Sequence, residues 1–173
     1  MLNVLAIDIG TNMGLTYRCP HDGLVCETRK LASPKEITEF GKSRLSRRCD
    51  PRIKRCFDIV SALHERLVFD VVCIEDVLFA SSTYAVQLWS SLRAAVWLAC
   101  QQRPVPGPYF EAVPVATLKK FATGSGSADK DQMLTAAKRK KLLDDFDGLD
   151  DNAVDSLHLF DWANQNLSRM TKA

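Results

Sequence analysis

Two carboxylates interrupt the most apolar stretches of this chain. Asp8 falls inside Met1-Leu-Asn-Val-Leu-Ala-Ile-Asp8-Ile-Gly10, and Glu75 follows directly on Phe69-Asp-Val-Val-Cys-Ile. Both stretches read as buried strands. An ionised carboxylate inside a buried strand is costly unless it is paired or binds a metal. Two of them in separate strands demand a fold that brings the strands side by side at a polar site.

The order of elements supplies such a fold. Residues 2–9 read as a strand and Gly10 to Gly14 as a turn. Leu15 to Arg18 and Leu24 to Leu31 read as strands two and three, joined by the turn-like Pro20-His-Asp-Gly23. Ser33-Pro34 opens a helix, with Glu36 three residues after the cap. Asp50-Pro51 repeats that start signal, and Ile53, Cys56, Phe57, Val60, Leu63 and Leu67 then share one helical face. Val71 to Ile74 is a short apolar strand, Thr83 to Gln101 a long apolar helix, and Tyr109 to Val113 a fifth strand. A short helix over 115–121, a loop at Gly124-Ser-Gly-Ser127 and helices over 128–143 and 151–167 complete the chain. Three strands in a meander, followed by alternating helices and strands, give one α/β domain over residues 1–173, a five-stranded mixed sheet flanked by helices. The order is that of the ribonuclease H-like fold, in which strands one and four are neighbours.

Charge is nearly balanced at +2 but segregated. Lys42, Arg44, Arg47, Arg48, Arg52, Lys54 and Arg55 cluster against the single acid Asp50; a second basic stretch runs from Lys119 to Lys141; Asp144 to Asp161 is acidic. Basic surface beside an acidic site suits a polyanion brought to bound cations, although each basic cluster also reads as a solvated helix face. No basic leader precedes the first apolar stretch, and no apolar run approaches the roughly 20 residues that span a bilayer. A cytoplasmic protein without membrane contact is expected, its six cysteines reduced. Cys73 and Cys100 read as core; the spacing of Cys19, His21 and Cys26 matches no common zinc pattern.

Asp151 and Asp155, four residues apart, share a helical face with Asp8 and Glu75 within reach if that helix crosses strands one and four. Hydrolysis of a phosphodiester needs an activated water and charge neutralisation at the leaving oxygen, which two divalent cations roughly 3.5–4 Å apart supply. Hard cations such as Mg²⁺ take oxygen ligands, so clustered carboxylates are the fitting residue type. Asp150 and Asp151 also read as an N-cap and a first-turn acid. Asp76 is expected on the opposite side of the strand from Glu75.

At these residues the chain resembles the RuvC family of Holliday-junction resolvases, particularly its phage-encoded branch. Ile7-Asp8-Ile-Gly10-Thr-Asn-Met-Gly14 is similar to the family's first-strand motif, and Ile74-Glu75-Asp76-Val77 to its second acidic motif. Ala116-Thr-Leu-Lys119-Lys120-Phe-Ala-Thr-Gly124-Ser-Gly126-Ser-Ala128-Asp-Lys130 resembles its glycine loop with flanking lysines, the most specific match. Asp150-Asp-Asn-Ala-Val-Asp155 resembles its C-terminal acidic motif. The resemblance implies a homodimeric endonuclease, dependent on Mg²⁺ or Mn²⁺ at two ions per site, that cuts four-way DNA junctions with paired nicks. It implies Asp8, Glu75, Asp151 and Asp155 as metal ligands, with Lys130 catalytic beside them. In bacterial members the fourth acid lies three residues before the last, which is Asn152 here; Asp151 is the ligand expected instead.

Lys119, Lys120 and Lys130, with Arg47 and Arg48, are the expected phosphate contacts; a lysine beside a glycine loop reaches a phosphate as a point charge. The family places an aromatic shortly after the second acid. Leu78 stands at the matching step, leaving Phe79 or Tyr84 to stack on DNA bases, with Phe79 equally readable as core. The apolar helix over 83–100, with Trp89 and Trp97, is expected to serve a dimer interface as well as the core. Rival readings are a broader flap and fork nuclease with the same site, and a junction-binding protein without catalysis. The first-strand loop also resembles an actin-like phosphate loop, but this chain is short for that two-domain architecture.

Overall fold

The computed structural model describes residues 2–42, 50–77, 82–102 and 107–167. Its sheet runs in the order β3-β2-β1-β4-β5, from Val4–Asp8 (β1), Asn12–Cys19 (β2), Gly23–Lys30 (β3), Val71–Asp76 (β4) and Tyr109–Pro114 (β5). β1, β2 and β3 pair antiparallel, whereas β4 pairs parallel to both β1 and β5. The helices are Pro34–Lys42 (α1), Pro51–Leu67 (α2), Thr83–Cys100 (α3), Val115–Thr123 (α4), Lys130–Arg139 (α5) and Asp151–Asn166 (α6). The mixed five-stranded α/β architecture expected from the sequence is present. No helix among the described residues is long and apolar enough to cross a membrane.

Both faces of the sheet are covered, which explains the unbroken apolar character of β1 and β4. Leu5 and Ile7, with Val72 and Ile74, pack towards α2 and α3 against Cys56, Val60, Leu92 and Val96. Val4 and Ala6, with Val71 and Cys73, pack the other way, against Leu118 of α4 and Leu159, Phe160 and Ala163 of α6. Full burial of a Leu or Ile contributes about 1.5–3 kcal/mol, and Leu5, Ile7, Leu15 and Ile74 are all at 0% exposure. A third apolar cluster joins α5 to α6 through Met133, Ala137, Val154 and Leu157.

Helix starts follow the sequence signals. The Ser33 hydroxyl accepts from the Glu36 amide at 3.3 Å while the Ser33 amide donates to the Glu36 carboxylate at 2.7 Å. Asp50 caps α2 through the Arg52 amide at 3.0 Å. Several boundaries differ from the expectation, three of them with a visible cause. β2 begins at Asn12, inside the expected turn, because Asn12 to Gly14 pair with Thr28 to Lys30 of β3. β4 continues to Asp76, held by pairing with Val113 and Pro114. α5 is shorter than 128–143: Asp129 caps it in a reciprocal box with Gln132, and a left-handed Lys141 (φ 52) terminates that region.

Candidate active site

Strand alternation decides where the acids point. Asp8 follows Val4 and Ala6 on the α6 side of the sheet, and Glu75 follows Val71 and Cys73 on that same side. The last β1–β4 pair is Ile7 with Ile74, so the two carboxylates stand next to each other at the C-terminal ends of parallel strands. Asp76 points the other way, where Arg93 of α3 reaches it at 3.4 Å.

α6 carries the third acid over these strand ends, and its seat is made by Gly14. Gly14 pairs with Asp8 across β1 and β2, and a Cβ on it would overlap the backbone carbonyl of Asn152. Glycine thus lets the first turn of α6 lie directly on β2. Three polar contacts lock it there. Thr16 and Ser156 share a fully buried hydroxyl–hydroxyl bond of 2.8 Å. The Cys26 thiol donates to the Ala153 carbonyl at 3.2 Å, and the Thr28 hydroxyl donates to Asp150 at 2.5 Å. Asp150 itself caps the helix through the Ala153 amide at 3.1 Å. With its amide oriented by its hydrogen bonds, Asn152 donates to Asp8 Oδ2 and to the Asn12 carbonyl, each at 3.3 Å.

The three inner acids repel one another. Burial, then the charges of Glu75 and Asp155, hold the Asp8 carboxyl well above the usual carboxylate range. Burial and then Asp155 push Glu75 up to about 7, with Lys119 opposing. Burial raises Asp155 to about 6, against the pull of Lys119 and Lys130. Asp150 behaves differently: burial would raise it, yet the Thr28 and Ala153 bonds hold it below its ordinary value.

Lys119, on α4, lies close enough to Glu75 and Asp155 to lower both. Gly124 ends α4 with a left-handed turn (φ 92) and releases the loop that leads to Lys130. Lys130 opens α5 and forms an ion pair with Asp151, at exposures of 75% and 50%. Lys119, Lys130, Asp150, Asp151 and Asp155 line one small cleft of about 120 Å³. Lys120 is exposed and does not line this cleft.

Of the four expected carboxylates, Asp8, Glu75 and Asp155 lie inside, and Asp151 stands at the rim of the same cleft, paired with Lys130 and close enough to raise Asp155. Among the described residues no group of three or more His, Cys, Asp or Glu side chains stands close enough together to hold a metal ion as it is. The chemistry of the donors nevertheless fits a hard divalent cation: three oxygen donors, clustered, mutually repelling, and without a buried ammonium or guanidinium between them. Asp8, Glu75 and Asp155 are the residues that would hold it.

The basic surface over 42–55 is also altered where it is described. Arg52 is buried at 5% exposure in an ion pair of 2.5 Å with Asp50, itself 8% exposed. Its guanidinium also bonds the Thr11 hydroxyl at 3.0 Å and the Tyr84 hydroxyl. Arg55 pairs with Glu36 at 2.9 Å and Lys54 with Asp58 at 2.6 Å. These three cations are thus neutralised within the protein. Arg47, Arg48 and Phe79 lie outside the described residues. Tyr84 is 42% exposed, with its hydroxyl fixed by Arg52 and Asp50.

Sequence reasoning missed Gly14, Thr16, Ser156 and Asn152, all of which position the acids. A signal existed for two of them: Thr16 and Ser156 are hydroxyls at positions where the surrounding pattern demands apolar residues.

The family model described as crossover junction endodeoxyribonuclease RuvC matches residues 38–158. No curated protein matches the chain in sequence. Among solved structures, Thermus thermophilus RuvC in complex with a Holliday junction substrate is similar at 20% identity, with 100% of this chain and 98% of that chain covered and a TM-score of 0.71. Thermus thermophilus RuvC alone gives 21% identity, 98% and 97% coverage, and 0.68. The yeast mitochondrial Holliday junction resolvase gives 14% identity, 98% and 82% coverage, and 0.56.

Proposed function

This chain belongs to the family of crossover junction endodeoxyribonuclease RuvC, and on that basis we propose that it resolves four-way DNA junctions by paired, divalent-metal-dependent nicks. The observation that carries the reading is the convergence of Asp8, Glu75 and Asp155 from β1, β4 and α6, with Lys119 and Lys130 at their rim. Mg²⁺ or Mn²⁺, two ions per site, would be held by these acids, with Asp151 completing the set from the rim. When bound, such ions supply Lewis acidity at the phosphate and make the attacking water more acidic.

The protein's own groups do the rest. Lys119 and Lys130 meet a phosphate oxygen as point charges. The Lys130–Asp151 pair is exposed and therefore weak, so an arriving phosphate competes for the ammonium at little cost. Phosphodiester hydrolysis forms one P–O bond from water and breaks another, and the negative charge that develops meets the two lysines. Lys120 and Arg47 with Arg48 extend the phosphate contacts outward, and Phe79 stacks on the DNA.

Paired nicks need two sites. A second copy of this chain would supply the other, across the exposed apolar residues of α3: Val86 at 48%, Trp97 at 49% and Leu98 at 47% exposure.

Asp8→Asn tests the assignment. Cleavage of a labelled four-way junction in Mg²⁺ should be abolished, with junction affinity within about threefold of wild type. A variant that still cuts at the wild-type rate removes Asp8 from the site.

A further inference from the structure

We propose that Asn152 is a positioning residue for the Asp8 carboxylate, tuning the site for its metal without being charged itself; this rests on the metal-dependent reading above. Among the described residues, Asn152 supplies the one hydrogen bond that the Asp8 carboxylate receives, with its amide turned so that the nitrogen faces Asp8 rather than Asp150 Oδ2, which the opposite orientation meets at 3.4 Å. Its amide nitrogen spans two acceptors, Asp8 Oδ2 and the Asn12 carbonyl, each at 3.3 Å. Asn12 lies two residues before Gly14, the first β2 residue paired with β1. The amide therefore ties the end of β1 to the start of β2 just where the ladder has stopped.

The backbone makes this contact possible. Asn152 stands in the first turn of α6, and its carbonyl rests against Gly14. Any larger residue at 14 would lift the amide away from Asp8. The neighbours of Asn152 are committed elsewhere: Asp150 to the helix cap and Thr28, Asp151 to Lys130. The inward-facing side chain of this turn is thus the neutral one.

An amide suits this place better than an acid. Asp8 already lies against the charges of Glu75 and Asp155, and a further carboxylate against it would add repulsion in the metal-free protein. A protein cation would neutralise Asp8 and compete with the metal. The NH₂ group orients the carboxylate and leaves its charge available, the usual role of a hydrogen-bond donor behind a metal ligand, whose loss weakens metal affinity roughly 10–100-fold.

The experiment is direct Mn²⁺ binding by calorimetry on the full chain, without DNA, for wild type, Asn152→Ala and Asn152→Leu. Both substitutions suit a first helical turn, and Leu preserves the side-chain size while removing the donor. The proposal expects the Mn²⁺ Kd to rise at least about tenfold in both, with junction affinity in EDTA unchanged. A Kd within twofold of wild type in either variant overturns it, as does an equal loss of junction affinity in EDTA, which would mark a purely structural role. If the wild-type protein binds no Mn²⁺, the metal reading itself falls and this proposal with it.

Discussion

Replacing Glu75 by Gln should stabilise the metal-free protein while ending its activity. In the fold Glu75 titrates near 7 against 4.5 for a free side chain, owing to burial and then to Asp155. The folded state therefore holds a proton that the unfolded chain has released, so stability is fullest below pH 4.5 and is lost as pH rises through 7. At about 1.4 kcal/mol per tenfold difference, the ionised carboxylate costs the fold about 3 kcal/mol at pH 8 and under about 1 kcal/mol at pH 5. Gln keeps the shape and removes the charge. In EDTA at pH 8 its Tm should exceed that of wild type by about 6–12 °C, at roughly 2–4 °C per kcal/mol for a domain of this size. At pH 5 the gap should nearly close. Adding Mg²⁺ at pH 8 should raise the wild-type Tm and leave the variant almost unmoved, because a ligand stabilises only a state that binds it. Thermal unfolding followed by circular dichroism reads all of this. A Glu75→Gln protein equal to or less stable than wild type at pH 8 in EDTA would refute the argument that these acids strain the empty site.

Gly14→Ala should destabilise the protein by about 1–3 kcal/mol in urea unfolding and depress cleavage, because its Cβ meets the backbone of α6 rather than a movable side chain; wild-type stability would contradict the close approach. Ser156→Ala should cost about 1–3 kcal/mol by leaving the buried Thr16 hydroxyl without its partner, and adding Thr16→Val should recover part of that loss. A double variant no better than the single would deny the pairing. Lys130→Ala should barely change Tm, since its ion pair is exposed, but should weaken junction binding and lower the slope of log affinity against log salt by about one; an unchanged slope removes Lys130 from the phosphate path.

The strand acids were legible because burial makes a lone carboxylate conspicuous. The apolar runs around Asp8 and Glu75 place them on strands, and the period of two puts both on the α6 face, so a pair of neighbouring carboxylates on that face followed from the residues. The fold order was legible from the strand and helix patterns, with Ser33 and Asp50 marking helix starts by their cap chemistry. The fourth acid was not. Asp150, Asp151 and Asn152 are adjacent, and each step around a helix turns about 100°, so only the seating of α6 on Gly14 decides which of them faces inward. Arg52 was equally hidden: it belongs to a run of basic residues, yet its partners Asp50, Thr11 and Tyr84 come from the α2 cap, the β1–β2 turn and α3. A charge run looks the same in sequence whether its members face solvent or one another.

Cleavage of a labelled synthetic four-way junction by the wild-type chain, beside a flap, a fork and a linear duplex, with Mg²⁺ or EDTA, tests the central claim most directly. The account predicts paired nicks in the four-way junction that require Mg²⁺, and little cutting of the other substrates. Comparable cutting of flaps and forks would contradict junction selectivity, and binding without cleavage in Mg²⁺ or Mn²⁺ would contradict the catalytic role of Asp8, Glu75 and Asp155.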